Sequence, residues 1–519
     1  MILRRRFLAG LMGTTAASAL APDFWRTAMA AVAITDELAT KLALDPRRPQ
    51  YHLLPPANWM NDPNGPIYWN GQYHMFYQYN PGGAYWGDMH WGHAVSPDMV
   101  HWRHLPVALA PTPGGPDANG CFTGTAVVQD GRVTILYTGV SASALDQATI
   151  KDAHPPLRET QCLAVADNSD LTTWTKASAP VLASPPAGLQ VNGFRDPSPW
   201  KQGDWWYMVT ACGIPDQGGA VLLYRSKDLR DWEFLHVLAQ RDREGSARFD
   251  SFDPWEVWEC PEFFPLGDWH VLIYSTAGKT YWQSGKLDEK MNFAPEQSGI
   301  MDYGTYYAAK TQLDKTGNRV IWGWITETRP LDEHKAAGWA GFMSLPRVLS
   351  AAADGTVRFS VASEVEQLRQ KRQSLSVSSD KGAMQQQIEA MSLAGCTGEI
   401  QCTMRRAADP FALTFSDSDD SANPLLILEY DPRHRAQVAI DGRPVPVLLG
   451  ENENLEFHLY ADGSVIELFV NHQVAWTKRF YYQGNSAPNL HLKFSGNVTN
   501  VESLTVWQLS PISADRLTT

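Results

Sequence analysis

The chain has 519 residues, which is too long for one ordinary domain and favours two. Its 43 Lys and Arg against 56 Asp and Glu give a net charge of −13, which argues against nucleic acid or an anionic membrane as a partner. Charged residues make up only 19 % and hydrophobic ones 44 %, so an intrinsically disordered chain is also excluded. The 20 Trp, 18 Tyr and 19 Phe beside 39 Gly and 34 Pro are typical of short strands joined by frequent turns.

The first element along the chain, residues 1–30, is a predicted export signal. Arg4-Arg5-Arg6 precedes an apolar run that ends at Leu20, and Ala28-Met29-Ala30 offers a small-residue cleavage site. The twin arginine resembles the signal read by the pathway that exports folded proteins. The apolar run is shorter than the ~20 residues that a membrane span requires, so we expect a periplasmic or secreted protein.

A loose repeat follows the signal. Three segments that end at Trp102, Trp174 and Trp232 share the pattern Asp-hydrophobe-x-x-Trp, and each follows a short strand-like run. Weaker matches at residues 283–287 and 321–324 indicate a fourth and a fifth unit. Tandem units of about 60 residues, each with four strands, predict a propeller. We therefore expect residues 31–350 to form a five-bladed β-propeller.

The sequence pattern changes after this repeat. Ser363-Glu364-Val365-Glu366 has the pattern of a capping box and predicts a short helix as far as Arg372, within a linker of residues 351–375. Alternating strands follow, and Asp462-Gly463 between two of them is a strong hairpin signal. Residues 376–519 are therefore predicted to form a β-sandwich, so that the fold class is all-β.

The cysteines and histidines do not indicate a metal site. Six cysteines in a chain of this length do not make a disulfide framework, and no Cys-x-x-Cys pair indicates zinc. Cys396 and Cys402 are close enough in sequence to pair, and both states remain open. His90 and His93 have the spacing of a metal pair, but an offset of three places side chains on opposite faces of a strand. We predict no metal and no cofactor.

Three segments carry acidic residues in motifs with chemical meaning. Asn61-Asp62-Pro63-Asn64-Gly65 alone reads as a turn, but with Trp59-Met60 before it the segment resembles the signature of glycoside hydrolase family 32, the invertase, inulinase and levanase family. Phe194-Arg195-Asp196-Pro197 and Trp258-Glu259-Cys260-Pro261 are similar to the second and third carboxylate motifs of that family. Further segments also resemble the family and occur in its order. Residues 76–81, 91–94 and 122–124 lie between the first and second motifs, and residues 302–308, 338–347 and 462–471 follow the third. The resemblance therefore extends over nearly the whole mature chain. It implies a five-bladed propeller followed by a β-sandwich.

The resemblance also implies roles for the three acids. Asp62 corresponds to the nucleophile, Glu259 to the general acid/base, and Asp196 to the residue that accepts hydrogen bonds from two ring hydroxyls. Since the family retains configuration, we expect the carboxyl groups of Asp62 and Glu259 about 5–5.5 Å apart. Two anionic aspartates beside Glu259 are expected to raise its pKa and keep it protonated.

The resemblance further assigns side chains to the bound sugar. Trp86 and Trp339 are expected to offer ring faces to it. The positions that contact fructose in the family correspond to Asn61, Gln78, Trp86, Phe122, Thr123 and Arg195.

We therefore expect a secreted, cofactor-free, retaining β-fructosidase that acts on sucrose, levan or inulin. A fructosyltransferase would use the same covalent intermediate and pass fructose to a sugar. A non-catalytic fructan-binding protein and a five-bladed arabinan-cleaving enzyme are two more candidates, although the presence of all three carboxylates weighs against the former. Linkage preference, exo or endo attack and oligomeric state are left open by the motifs.

Overall fold

The computed structural model describes residues 34–241, 253, 255–406, 408–417, 424–434, 437–450, 453–482, 484 and 486–517. The predicted export signal lies outside the described residues. Within them the fold is all-β, as the composition predicts, and contains no helix long and apolar enough to cross a membrane. The chain divides into two compact units. The first contains Leu54–Ile300 and Tyr306–Val357, and the second contains Asp36–Leu53, Met301–Thr305 and Arg358–Thr519.

Helices are few in the described part of the chain. The α-helices are α1 (Asp36–Leu44), α2 (Leu331–Ala337) and α3 (Lys381–Ala390), and the 3₁₀ helices are Ser363–Leu368, Ala394–Cys396 and Val498–Asn500.

The first unit consists of five sheets, each built mainly from strands that are adjacent in sequence. The first sheet contains β1 (Asn58–Trp69), β2 (Gln72–Asn80), β3 (His90–Ser96) and β4 (Arg103–Leu109). The second contains β5 (Gly120–Gln129), β6 (Arg132–Ala142), β7 (Leu157–Ala166) and β8 (Trp174–Lys176). The third contains β9 (Asn192–Gln202), β10 (Trp205–Ile214), β11 (Gly218–Ser226) and β12 (Glu233–Gln240). The fourth contains β13 (Glu259–Leu266), β14 (Trp269–Thr276), β15 (Lys279–Leu287) and β16 (Phe293–Ile300).

The fifth sheet comes last in the first unit, and one short strand within its span of sequence pairs with the first sheet instead. Its members within the first unit are β17 (Tyr306–Leu313), β18 (Arg319–Ile325), β20 (Phe342–Met343) and β21 (Arg347–Ala351), and β22 (Val357–Val361) begins at the last residue of this unit. Between β18 and β20, β19 (Trp339–Ala340) pairs in parallel with β1, with Asn58 opposite Trp339. Since β1 carries the first acidic motif, this pairing connects the strand of that motif to a segment near the C-terminal end of the first unit.

The second unit has two six-stranded sheets that enclose one hydrophobic core, an arrangement consistent with a β-sandwich. One sheet has the order β23-β34-β25-β30-β31-β32 and the other β24-β33-β26-β27-β28-β29. The strands are β23 (Arg369–Ser374), β24 (Ser392–Leu393), β25 (Thr397–Met404), β26 (Phe411–Ser416), β27 (Leu426–Tyr430), β28 (Val438–Ile440), β29 (Arg443–Val445), β30 (Leu455–Asp462), β31 (Val465–Val470), β32 (Val474–Arg479), β33 (Leu490–Ser495) and β34 (Val501–Leu509).

Two local predictions in this unit have different outcomes. The hairpin is confirmed, because β30 and β31 are joined at Gly463, whose φ of 59° lies in the left-handed region that glycine adopts without strain. The helix predicted as far as Arg372 is wrong in type and length: it is a 3₁₀ helix that ends at Leu368, and its N-cap, Ala362, makes no side-chain bond. Val365 and Leu368 are buried, and a spacing of three places both on one side of a 3₁₀ helix.

The structure also places the cysteines, whose pairing the sequence leaves open, and the two histidines that are not expected to share a metal. All six cysteines are buried free thiols, so Cys396 and Cys402 do not pair in this structure. His93 Nε2 lies 3.0 Å from His74 Nδ1, on the neighbouring strand, and not beside His90. No cluster of three or more His, Cys, Asp or Glu side chains suited to a metal ion occurs among the described residues.

Candidate active site

The three acids identified in the motifs lie on three different sheets of the first unit. Asp62 belongs to β1, Asp196 to β9, and Glu259 is the first residue of β13. All three are buried, with relative exposures of 3 %, 3 % and 8 %. Buried carboxylates are costly unless hydrogen bonds or opposite charges compensate them, so the partners of each one define the site.

Cys260 brings the three carboxylates together. Its backbone N–H donates to Asp196 Oδ2 at 2.8 Å, and its thiol donates to Asp62 Oδ2 at 3.5 Å. Glu259 precedes it directly in the chain. Burial raises the pKa of the Cys260 thiol well above its usual value, and the Asp196 and Asp62 carboxylates add to this effect, so the sulfur keeps its proton as a donor.

Each acid lies at an irregularity of its strand. The register with the neighbouring strand shifts between Met60 and Pro63 and again between Glu259 and Glu262. Asp196 and Cys260 have φ values of 60° and 52°, a left-handed conformation that non-glycine residues seldom adopt. Bulges and strained backbone of this kind redirect side chains and concentrate at functional sites.

Asp62 is held by donors on both oxygens. The Thr123 hydroxyl donates to Oδ2 at 2.7 Å, and the Asn61 amide donates to Oδ1 at 2.9 Å. The Asn61 side chain is itself fixed, because the indole N–H of Trp59 donates to its oxygen at 2.7 Å. The carboxylate is therefore oriented in advance, as a nucleophile must be.

Glu259 is held by a different set of partners. The Tyr307 hydroxyl donates to Oε2 at 2.6 Å, and Arg195 Nη1 lies 3.1 Å from Oε1. Arg195 Nε in turn lies 2.6 Å from Oε1 of Glu159, a fully buried residue whose other oxygen accepts from Thr149 and from the backbone of Phe194. Glu259 is thus the end of a Glu–Arg–Glu chain whose arginine is partly exposed.

Asp196 has a strongly perturbed pKa. Burial raises the pKa of Asp196 to about 7, the Glu259 and Asp62 carboxylates contribute to the rise, and Arg195 and the Cys260 N–H oppose it. Its own backbone N–H donates to Thr138 Oγ1 at 2.8 Å. Near neutral pH this carboxyl group can donate as well as accept hydrogen bonds, a property suited to holding hydroxyl groups.

Several of the predicted sugar-contacting residues lie in this region, and Trp339 is arranged differently. The Gln78 amide donates to the carbonyl of Cys121 at 2.9 Å, and the partly exposed rings of Trp86 and Phe122 meet edge to face at 5.8 Å. Trp339 is fully buried, and the Arg329 guanidinium lies 4.4 Å from the centre of its ring. Its ring therefore has no open face in this structure.

Two residues of the site carry functions that the motifs did not assign. Glu159 has no local pattern that marks it, since its contact with Arg195 exists only in the folded chain. Tyr307 lies within a matched segment, and its direct bond to Glu259 is visible only in the structure. Glu256, another buried acid near Glu259 in the sequence, has structural partners, because it accepts from the indole of Trp258 at 2.8 Å and pairs with Arg241.

The chain is similar to known proteins over most of its length. The sequence models for the glycosyl hydrolases family 32 N-terminal domain and C terminal match residues 52–360 and 364–508. The sucrose-6-phosphate hydrolase of Escherichia coli is 34 % identical over 89 % of this chain and 94 % of its own length. The raffinose invertase of Escherichia coli is 35 % identical over 84 % and 90 %. Among solved structures, a GH32 beta-fructofuranosidase of Bombyx mori superposes with a TM-score of 0.71 at 28 % identity, over 94 % of this chain and 99 % of that one.

Proposed function

Because the chain belongs to glycoside hydrolase family 32 and hydrolyses β-fructofuranosides such as sucrose, we propose that it does so with retention of configuration, through a covalent fructosyl–enzyme intermediate. The observation that carries this proposal is the meeting of Asp62, Asp196 and Glu259 around Cys260. One oriented carboxylate and a second carboxyl group that can exchange a proton are the two groups that a retaining glycosidase requires.

The proposed reaction has two steps. In the first, Asp62 attacks the anomeric carbon of fructose while Glu259 gives its proton to the leaving oxygen, so that the glycosidic bond breaks and an ester bond to Asp62 forms. In the second, Glu259 takes a proton from water, whose oxygen attacks the same carbon and releases Asp62 as a carboxylate.

The neighbouring side chains prepare both steps. Thr123 and Asn61 orient the nucleophile, and Tyr307 and Arg195 orient the acid/base. Asp196 would hold two ring hydroxyls, which supports catalysis by fixing the sugar against Asp62. Gln78, Trp86 and Phe122 would complete the fructose site.

We also propose that the five sheets of the first unit are the blades of a five-bladed propeller. The parallel pairing of β19 with β1 supports this arrangement, because it links the last part of the unit to the first sheet. Closure of this kind removes exposed strand edges, and it would bring the inner strands of all sheets to one axis.

Export by the twin-arginine route is proposed from residues 1–30 alone. The Arg4-Arg5-Arg6-Phe7-Leu8 segment supports it, and mass spectrometry of the exported protein should find a mature N-terminus after Ala30. Replacing Arg4 and Arg5 with lysine should leave the protein in the cytoplasm. Unchanged export of that variant would contradict the proposed route.

The decisive test is product analysis from sucrose, sucrose-6-phosphate, levan and inulin over time. Equal release of glucose and fructose from sucrose is expected, whereas excess glucose at high sucrose would indicate a fructosyltransferase. Asp62→Ala should lose kcat by about 10⁴-fold or more, because it removes the nucleophile. Hydrolysis by that variant at the normal rate would overturn the assignment, and inversion in product NMR would favour an arabinan-cleaving enzyme.

The covalent step has its own test. Glu259→Ala should remain able to form the fructosyl ester from a substrate with a good leaving group, such as fructosyl fluoride, because that step then needs no acid. Added azide should release the ester as β-fructosyl azide and raise the rate. A product of inverted configuration would contradict an intermediate on Asp62.

A further inference from the structure

A second set of polar side chains lies next to the catalytic carboxylates and takes no part in the reaction proposed above. It consists of Thr125 on β5, Ser198 on β9, Glu262 on β13 and Lys310 on β17, all of which are buried. We call these four residues the floor cluster.

Hydrogen bonds join the floor cluster across four sheets. Lys310 Nζ lies 3.0 Å from Glu262 Oε1 and donates to Thr125 Oγ1 at 3.2 Å. The Ser198 hydroxyl donates to the same Glu262 oxygen at 2.8 Å. The other oxygen of Glu262 accepts from the backbone and the hydroxyl of Thr311, at 3.2 and 2.8 Å.

The floor cluster follows the catalytic residues along the same strands. Thr125 comes two residues after Thr123, Ser198 two after Asp196, and Glu262 two after Cys260. Register shifts interrupt these strands near the catalytic residues, so closeness along the chain, and not a regular alternation of faces, places the cluster beside them. Lys310 likewise comes three residues after Tyr307, beyond the register shift between Tyr307 and Lys310. The cluster therefore lies beside residues of the catalytic site on the same four strands, and the charge of Lys310 acts on Cys260.

Stability alone does not explain a buried ion pair at this place. A buried pair must overcome a desolvation cost that a well-packed apolar pair of similar volume avoids. A single uncompensated charge here would act through a low dielectric on the acids beside it. The lysine and the glutamate together contribute almost no net charge.

We propose that the Lys310–Glu262 pair is an electrostatic positioning device that keeps the local charge at the catalytic carboxylates balanced. The proposal rests on the proposed function of those carboxylates. Lys310 acts on the site through the effect of its charge on Cys260, and Glu262 acts through its contacts with Lys310 and Ser198.

Other charged groups face the same region and must be considered with the pair. Asp62, Asp196, Glu259 and the Cys260 thiol act on one another, and Arg195 acts on Asp196 and Glu259. Lys310 acts on Cys260. Glu262 also acts on Arg319, on the neighbouring strand β18. These groups stay unchanged in the variants below.

The test uses two single variants with opposite expected effects. Lys310→Met leaves the Glu262 anion near the acids, so their ionisation becomes harder and the acid limb of the kcat/KM pH profile should move to higher pH. Glu262→Gln leaves the ammonium, so the same limb should move to lower pH. Each shift should be on the order of one pH unit, as expected for one uncompensated charge near the acids. The double variant should return the limb to its original position.

A merely structural role would lower the unfolding temperature of both single variants without opposite shifts of the limb, and that result overturns the proposal. If Lys310→Met does not fold, Glu262→Gln decides alone: a shift to lower pH supports the proposal and an unchanged limb overturns it. Glu233→Gln is the matched control, because it breaks the exposed Arg225–Glu233 pair at 2.7 Å and should leave the profile unchanged. Failure of the proposed function would appear as inverted configuration of the wild-type product or as normal hydrolysis by Asp62→Ala, and both are results separate from the pH profiles of these variants.

Discussion

The hydroxyl of Tyr307 on β17 donates to Oε2 of Glu259 on β13 at 2.6 Å, so the fifth sheet positions the proposed acid/base on the fourth. Short hydrogen bonds to a charged group are stronger than neutral ones and contribute about 1.5–3 kcal/mol. The bond favours the carboxylate form that Glu259 has after giving up its proton.

Tyr307→Phe should therefore lower kcat by about tenfold or more, with a smaller effect on KM, because the lost bond serves the acid/base and not the sugar. The basic limb of the pH profile should move to higher pH, since the protonated acid is then relatively favoured. Steady-state kinetics from pH 4 to 9 would measure both changes. Tyr224→Phe, in the hydrophobic core of the third sheet, is the control, and an equal loss there would show that the effect is not specific to Glu259.

The Thr123 hydroxyl gives a second prediction about the nucleophile. Thr123→Val keeps the shape of the side chain and removes the donor to Asp62, so kcat/KM should fall about 10- to 100-fold. Thr123→Ser keeps the hydroxyl and should stay within a few-fold of the original value. A serine variant as impaired as the valine variant would mean that the methyl group, and not the hydrogen bond, is what matters.

Asp196 should be a source of instability at neutral pH. Its folded pKa of about 7 lies above the ordinary value of 3.8, mainly because of burial, so folding favours the protonated form. Relative to a neutral side chain, the folded state then loses stability as pH rises from about 4 to 7, by up to about 4 kcal/mol. Asp196→Asn should be inactive and more stable than the original chain at pH 8, with the difference vanishing near pH 3.5.

Thermal unfolding of both chains across this pH range would measure the effect. Asp228 provides a control of opposite sign, because the backbone N–H of Asp231 and further donors lower its pKa. Asp228→Asn should therefore destabilise the protein above pH 4 and lose that effect as pH falls. A stability difference for Asp196→Asn that does not vary with pH would show that the carboxyl group ionises normally.

The sequence could predict the features of this site that arise from short local segments, and it could not predict those that arise from contacts between distant strands. Asp62, Asp196 and Glu259 were identified because each lies in a short motif, and the hairpin at Gly463 because turn chemistry is local. The left-handed backbone of Asp196 and Cys260 could not be predicted, since no local signal marks positive φ in such residues. The Glu159–Arg195 and Lys310–Glu262 pairs also depend on strands from different sheets, and no motif in the sequence gives Glu262 a role.

The second unit contains a buried charge cluster that leads to the last prediction. His52 Nδ1 lies 2.8 Å from Asp462 Oδ2, and its Nε2 lies 3.0 Å from Glu467 Oε1, with all three side chains inaccessible to solvent. Burial works against the charged imidazole, but the hydrogen bonds to the two carboxylates prevail and raise the pKa of His52 to about 9. The ring is therefore protonated in the folded protein at neutral pH.

A folded pKa above the ordinary 6.5 means that the stabilisation from His52 is fully present below pH 6.5 and is lost as pH rises through about 9. His52→Gln should therefore lower the free energy of unfolding by about 3 kcal/mol more at pH 6 than at pH 9.5, as measured by urea denaturation. His434→Gln is the matched control, since its ring is 76 % exposed and lies 3.6 Å from Asp431, where solvent weakens the pair. Equal losses for His52→Gln at both pH values would show that the folded protein holds a neutral imidazole, because only a protonated ring gains free energy from two carboxylates in a pH-dependent way.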